Sequence, residues 1–248
     1  MYPVLFRIGS FEITSFGALV AIGAFVGLWV LQRELRRSRI DPSAIDAAVA
    51  GVLGGLAGAK LLWVAEHRSE DVLLNLLLSR GGMSWFGGFA GGIAAGLAVM
   101  QWKRLPKIAV LAAAAPALAI GQAIGRIGCF LVGDDYGRPT DLPWGVAFPQ
   151  GLPPTPVPVH PTQIYEAMAL IPLAWLLLRW RRSGRSDLFV LGAYLTLAGV
   201  IRFAIEFVRV DVRVVAGLSV AHLASLIAIV VGGVMWLTAR RHSAVALR

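Results

Sequence analysis

Arg202, Glu206 and Arg209 stand in the run Arg-Phe-Ala-Ile-Glu-Phe-Val-Arg, in otherwise apolar surroundings. Steps of four and three residues place all three on one face of a helix. Such a set can be a self-neutralising ladder at a helix end. It can also be an anion clamp, because a guanidinium grips phosphate through a planar fork of donors. Two arginines around one carboxylate leave a positive excess, which favours the clamp. A second set, His160, Pro161, Thr162, Gln163, Tyr165 and Glu166, opens another apolar run. Proline at a first helical position is an ordinary start, and Tyr165 suits the aromatic belt of a membrane interface. His, Gln and Glu together exceed what capping requires, so this set is also a candidate binding surface.

Three further positions carry charge or a nucleophile. Arg126 lies in Gly-Arg-Ile-Gly-Cys-Phe-Leu-Val-Gly-Asp-Asp-Tyr-Gly, read as following a helix. Lys60 sits inside an apolar run; it can snorkel to the outer face or meet lipid phosphate. Cys129 has a thiol, but a lone cysteine beside Phe130 is more often a small packed residue. His222 reads as a packing residue hydrogen-bonded at the outer interface, and His67 and His242 as ordinary loop residues.

These groups need elements to hold them, and the hydropathy pattern supplies them. A membrane helix takes about 20 mostly apolar residues. Seven stretches qualify: Thr14 to Gln32, Ile45 to Ala65, Met83 to Trp102, Ile108 to Ile124, Pro161 to Leu178, Leu188 to Phe207 and Leu218 to Ala239. Backbone in lipid must satisfy its own hydrogen bonds, so all are expected as helices. Most of the 23 basic residues fall in four clusters: Arg33 to Arg39, Lys103 to Lys107, Arg179 to Arg185, and Arg240 to Arg248. With seven crossings all four lie on one side, and the positive-inside rule makes that side cytoplasmic. The amino terminus is then outside and the carboxyl terminus inside. The expectation is an all-α membrane protein, one bundle over residues 1–248. Its outer-face segment, about 125–160, is rich in Gly and Pro and holds Asp134, Asp135 and Asp141. Four prolines between Leu152 and Pro158 suggest an extended rim. Gly51, Gly54, Gly55 and Gly58 in the second stretch suggest tight helix packing. In the third, Gly87, Gly88, Gly91, Gly92 and Gly96 suggest either packing or the approach of a lipid headgroup to the backbone.

Composition agrees with lipid as the solvent. The chain of 248 residues is 57% hydrophobic and only 15% charged, with a mean hydropathy of +0.72. A soluble domain carries about 25% charged residues. The net charge of +9 sits in loop clusters without interleaved aromatics, so nucleic acid is not an expected partner. One cysteine excludes an internal disulfide and any multi-cysteine metal site. No cleavable signal peptide is evident at the start.

Taken together, these segments resemble the prolipoprotein diacylglyceryl transferases. The likeness rests on Gly81 to Gly88 (Gly-Gly-Met-Ser-Trp-Phe-Gly-Gly), Gly125-Arg126 through Gly137-Arg138, His160 to Glu166, Arg202 to Arg209, and Gly217-Leu218-Ser219. It implies a seven-helix protein of the bacterial inner membrane that needs no metal or soluble cofactor. The implied reaction moves the diacylglyceryl group of phosphatidylglycerol to the lipobox cysteine thiol of a prelipoprotein, with loss of glycerol-1-phosphate. By the same likeness, Arg126 holds the headgroup and Arg202 stabilises charge on the departing phosphate. Glu206 and Arg209 orient the site, and Gly137 lets its loop turn. His160, Gln163, Tyr165, Glu166 and Lys60 are further candidate substrate contacts. The chain departs from the family pattern at Phe86, Cys129, Ala198 and Phe16, where the family commonly has histidine, asparagine, tyrosine and tyrosine. With the histidine gone, His160, Glu166 and Asp134 are the candidate bases. The departures also leave open a non-catalytic or remodelled relative that binds phospholipid or lipoprotein. A transporter is disfavoured, since transport sites usually lie at the midplane.

Overall fold

The computed structural model describes residues 4–9, 11–79, 82–210 and 212–245. Among them are the helices α1 (Ser15–Arg37), α2 (Ile45–Glu66), α3 (Leu73–Leu78), α4 (Trp85–Trp102), α5 (Lys107–Val132), α6 (Thr162–Arg182), α7 (Asp187–Glu206) and α8 (Val220–Val245). Among the described residues, five helical segments are long and apolar enough to cross a membrane: Ser15–Arg37, Pro42–Glu66, Lys107–Val132, Asp187–Glu206 and Val220–Arg240. The protein is therefore mainly helical, with several apolar spans. α4 and α6 are 18 and 21 residues long. Glycine recurs along α4, while Gln163, Glu166 and three terminal arginines dilute the apolar character of α6.

Outside the long helices the chain pairs with itself. Strands β1 (Val4–Ile8) and β2 (Phe11–Thr14), β3 (Val146–Phe148) and β4 (Thr155–Val159), and β5 (Arg213–Val215) and β6 (Leu218–Ser219) form three antiparallel hairpins. The all-α expectation missed them, because short connecting segments still need partners for their backbone groups. The proline-rich rim is extended as expected, and β4 carries it.

The chain separates into two compact units. One comprises 1–30 and 111–248, the other 31–110. In the second, the glycines of α2 and α4 face each other. A Cβ on Gly54 would come 2.8 Å from the Gly91 carbonyl oxygen, and one on Gly58 would come 3.0 Å from the Gly91 Cα. Gly87 likewise lies against Gly58 and Leu62. The α4 glycines thus serve backbone-to-backbone packing. Gly81 of the Gly-Gly-Met-Ser-Trp-Phe-Gly-Gly segment lies outside the described residues.

In the first unit, α7 and α8 meet through Gly192, Gly199 and Gly232. A Cβ on Gly192 would come 2.6 Å from the Trp236 nitrogen. Their buried core joins Ala115, Ala119, Leu170, Leu177, Phe189 and Val190. α5 runs eight residues beyond the expected end at Ile124, so Arg126 and Cys129 are helical and the outer segment starts at Gly133. The expected helix end at Ile124 leaves Gly125 and Gly128 in the outer segment. Gly128 instead lets α1 approach, with Leu19 Cβ 3.2 Å from where its own Cβ would be.

Candidate active site at one end of the first unit

The site forms where α5 and α7 end and α6 and α8 begin. Glu166, in the first turns of α6, is 2% exposed and joins the two expected arginines. Its Oε2 lies 3.0 Å from Arg126 Nε and 3.4 Å from Arg202 NH1. Its Oε1 accepts from Gln122 Nε2 at 2.6 Å. Arg202 NH2 reaches Glu206 Oε2 at 2.9 Å, the i to i+4 pair expected on α7. Arg209 Nε lies 3.7 Å from the same oxygen. Arg209 stands past the helix, which ends at Glu206 and tightens through i to i+3 bonds such as Val208 N to Ile205 O. The tightened turn still delivers Arg209 to the carboxylate.

Asp135 closes the arrangement from the outer segment. Its Oδ2 accepts from Arg126 NH1 at 2.7 Å and its Oδ1 from Arg209 NH2 at 2.8 Å. Its backbone is left-handed, with φ of 59°, a conformation aspartate tolerates better than most residues. Burial opposes its ionisation, but Arg209 and Arg126 outweigh burial and hold the carboxyl at about 2. Burial pushes the neighbouring Asp134 carboxyl up from the usual range. Sequence reading assigns Asp135 no role; a second aspartate in a loop gives no sign of which arginines it will face.

The His160 to Glu166 motif divides its work. Thr162 Oγ1 donates to the Asp135 carbonyl at 2.8 Å, and Gln163 Nε2 to the Asp134 carbonyl at 2.5 Å. Both side chains are buried and hold the loop that carries Asp135. Tyr165 hydroxyl accepts from Trp144 Nε1 at 2.8 Å and lies 3.3 Å from His160 Nδ1. His160 and Tyr165 are polar members of a cavity of about 780 Å³, otherwise walled by residues such as Phe130, Ile164, Met168, Ile205 and Val208.

Gly137 was expected to let its loop turn. Its φ is not in the left-handed region. What its missing Cβ provides is closeness: a Cβ would come 2.6 Å from the Val208 carbonyl oxygen and 2.8 Å from His160 Cβ. Gly137 N–H donates to the His160 carbonyl at 2.9 Å, and Arg138 N–H to that of Val208 at 2.8 Å. This lacing ties the loop to both motifs.

Other expected groups are placed as follows. Lys60 belongs to the second unit, where Nζ donates to the Ser79 carbonyl and hydroxyl, both at 2.8 Å. Phe86 is in the same unit and exposed. Ala198 packs against the first unit's core. Cys129 is buried, with Sγ 4.0 Å from Arg126 NH1. Its sulfur and the Asp134 and Asp135 carboxylates lie within 4.8 Å of one another. Both Asp135 oxygens are held by arginines, and adjacent guanidiniums repel a cation, so a salt-bridged corner fits this cluster better than a metal site. His67 caps α2, its Nδ1 2.9 Å from the Trp63 carbonyl. His242 falls within α8, with its side chain outside the description.

Known proteins resemble the chain along most of its length. The family model for prolipoprotein diacylglyceryl transferase matches residues 3–238. A phosphatidylglycerol–prolipoprotein diacylglyceryl transferase of Clostridium tetani is 33% identical over 238 residues, covering 94% of this chain and 95% of its own. Enzymes of the same name from Synechococcus elongatus and Rhodospirillum rubrum are 33% and 32% identical, covering 97% and 99% of this chain and 89% and 94% of their own. On the match along nearly its whole length, the chain belongs to the prolipoprotein diacylglyceryl transferase family.

Proposed function

We propose that this protein transfers the diacylglyceryl group of phosphatidylglycerol to the lipobox cysteine of a prelipoprotein, in a seven-span bundle with the amino terminus outside. The observation that carries the reading is the sharing of Glu166 Oε2 by Arg126 and Arg202. It brings two guanidiniums to one place at the end of the helices, each still partly exposed, at 16% and 25%.

In this reading Arg126 holds the headgroup phosphate. Arg202, fixed by Glu166 and Glu206, faces the charge that grows as the lipid's glyceryl carbon–oxygen bond breaks. Preorganised charge of this kind usually contributes more to catalysis than any other single effect. The substrate sulfur attacks that carbon as thiolate, a carbon–sulfur bond forms, and glycerol-1-phosphate leaves with the bonding electrons. The apolar cavity beside His160 offers room for acyl chain; its volume lies in the ordinary range for small-ligand sites. Glu166 is removed as a base, because both its oxygens are engaged and the side chain is closed to a thiol. His160 and Asp134 are left for that proton. Lys60, engaged with Ser79, is assigned no step.

The test is purified protein with phosphatidylglycerol and a lipobox peptide, followed by mass analysis. Wild type should add the diacylglyceryl mass to the peptide. Arg126→Ala and Arg202→Ala should each lower the rate about 100-fold or more, the scale of losing one preorganised donor. Cys129→Ala should remain active. Full activity of both arginine variants would reject the mechanism. Lipid binding by wild type without release of glycerol phosphate would make the chain a non-catalytic binder.

A further inference from the structure

Glu206 is fully buried, and its Oε2 faces Arg202 and Arg209. The other oxygen, Oε1, accepts from the Ser219 hydroxyl at 2.6 Å. Ser219 immediately precedes α8, and His222 is the helix's third residue. Ser219 Oγ accepts the His222 backbone N–H at 3.3 Å, and His222 Nδ1 accepts the Ser219 backbone N–H at 3.2 Å. This reciprocal pair is a capping box, with histidine where glutamate or glutamine is usual. Arg213 NH1 also reaches Nδ1, at 3.2 Å. Arginine and a backbone N–H are donors only, so Nδ1 serves as the acceptor and the ring proton is on Nε2. The rings of Phe203 and Phe207 stand edge-on to the imidazole, with centroids 5.1 and 4.7 Å away.

A capping box uses the serine oxygen as acceptor and leaves its proton to spare. Here that proton has two acceptors in reach, Glu206 Oε1 at 2.6 Å and His222 Nδ1 at 3.0 Å. The shorter, charge-assisted bond takes it. The same hydroxyl therefore starts α8 and props the carboxylate that holds Arg202.

We propose that Ser219 and His222 are positioning residues for the transfer reaction: the capping box of α8 fixes the Ser219 hydroxyl, which holds Glu206, which aims Arg202. The proposal rests on the transferase reading above. It goes beyond that reading by making the α8 start part of the device that aligns the charge-stabilising arginine. Ser219 is itself only 2% exposed and its proton is committed to Glu206, so it is not a nucleophile.

The experiment separates capping from donation. Glycine is a tolerable cap and has no hydroxyl. Ser219→Gly should therefore keep the cap of α8, lower the melting temperature by no more than the loss of one buried hydrogen bond does, lower kcat about tenfold or more, and leave KM for phosphatidylglycerol within twofold. Ser219→Thr, which keeps the hydroxyl, should recover most of kcat. His222→Gln, which restores the usual capping partner, should lie within about threefold of wild type, and His222→Leu should follow Ser219→Gly. A kcat for Ser219→Gly within twofold of wild type would overturn the proposal, as would a loss carried by KM alone. If wild type shows no transfer, the transferase reading fails. The prop is then read from a double-mutant cycle of Ser219→Gly with Glu206→Gln in thermal unfolding. Non-additive effects support it, and additive effects overturn it.

Discussion

Glu166 shows what a single side chain does in this site. One of its oxygens keeps Arg126 and Arg202 from separating, although like charges repel. Glu166→Ala leaves both guanidiniums without that counter-charge at a nearly closed position. Breaking such a buried pair costs about 3 kcal/mol or more, so unfolding in detergent should shift to clearly lower temperature. Transfer should fall at least as far as for either arginine variant. Asp135 gives a separate signature in acid. Its carboxyl is held at about 2 in the folded protein, below its ordinary value. A lowered folded-state value means the carboxylate stabilises the fold above about pH 4, and that this support is lost as pH falls toward 2. Thermal melts from pH 5 to 2 should show the loss in wild type and a smaller one in Asp135→Asn. An equal loss in both would remove Asp135 from the account.

At the scale of elements, glycine sets how near the helices come. Gly199 faces Ile229 Cγ1 at 2.9 Å and the Ser225 carbonyl oxygen at 3.0 Å from the position of an added Cβ. Gly199→Leu should push α7 from α8 and destabilise by about 1–3 kcal/mol, as overpacking does. Because α7 carries Arg202 and α8 starts at the Ser219 cap, activity should drop further than stability. Gly137→Ala should act more locally, forcing the loop away from Val208 and His160, with a lowered melt and a reduced rate. Sequence alone reveals the apolar runs, because length and hydropathy are local properties. It also places Arg202 and Glu206 on one face, since helical spacing is local too. It ends α5 too early, because Gly125 and Gly128 look the same whether they break a helix or admit a neighbour. It assigns Asp135, Gln122 and Ser219 no part, because what each meets is fixed by how the chain turns between elements, which helical spacing does not show. Glu166 reads as a candidate base for the same reason; only the folded chain shows its two arginines.

For the whole molecule, the orientation in the membrane is open to a direct check. Single cysteines placed near Thr140 and near Ser38 should respond oppositely to an impermeant thiol reagent added to intact cells. The first should react and the second should be protected until the membrane is opened. Cys129 is buried and should add little background. Labelling of both sites, or of neither, would contradict the proposed topology.

The charges of the assembled site also add up differently from those of α7 alone. Arg126, Arg202 and Arg209 meet Asp135, Glu166 and Glu206 in one linked set. Three positive groups thus face three negative ones, and the excess suggested by the short motif is compensated. A small anion drifting in from water finds little field to draw it there. A lipid arrives otherwise, since its tails keep the head near the arginines whatever the local potential. Inorganic phosphate should therefore be a feeble inhibitor. Glycerol phosphate, once cut from its tails, should drift off without clogging the enzyme, so progress curves should stay straight as it accumulates.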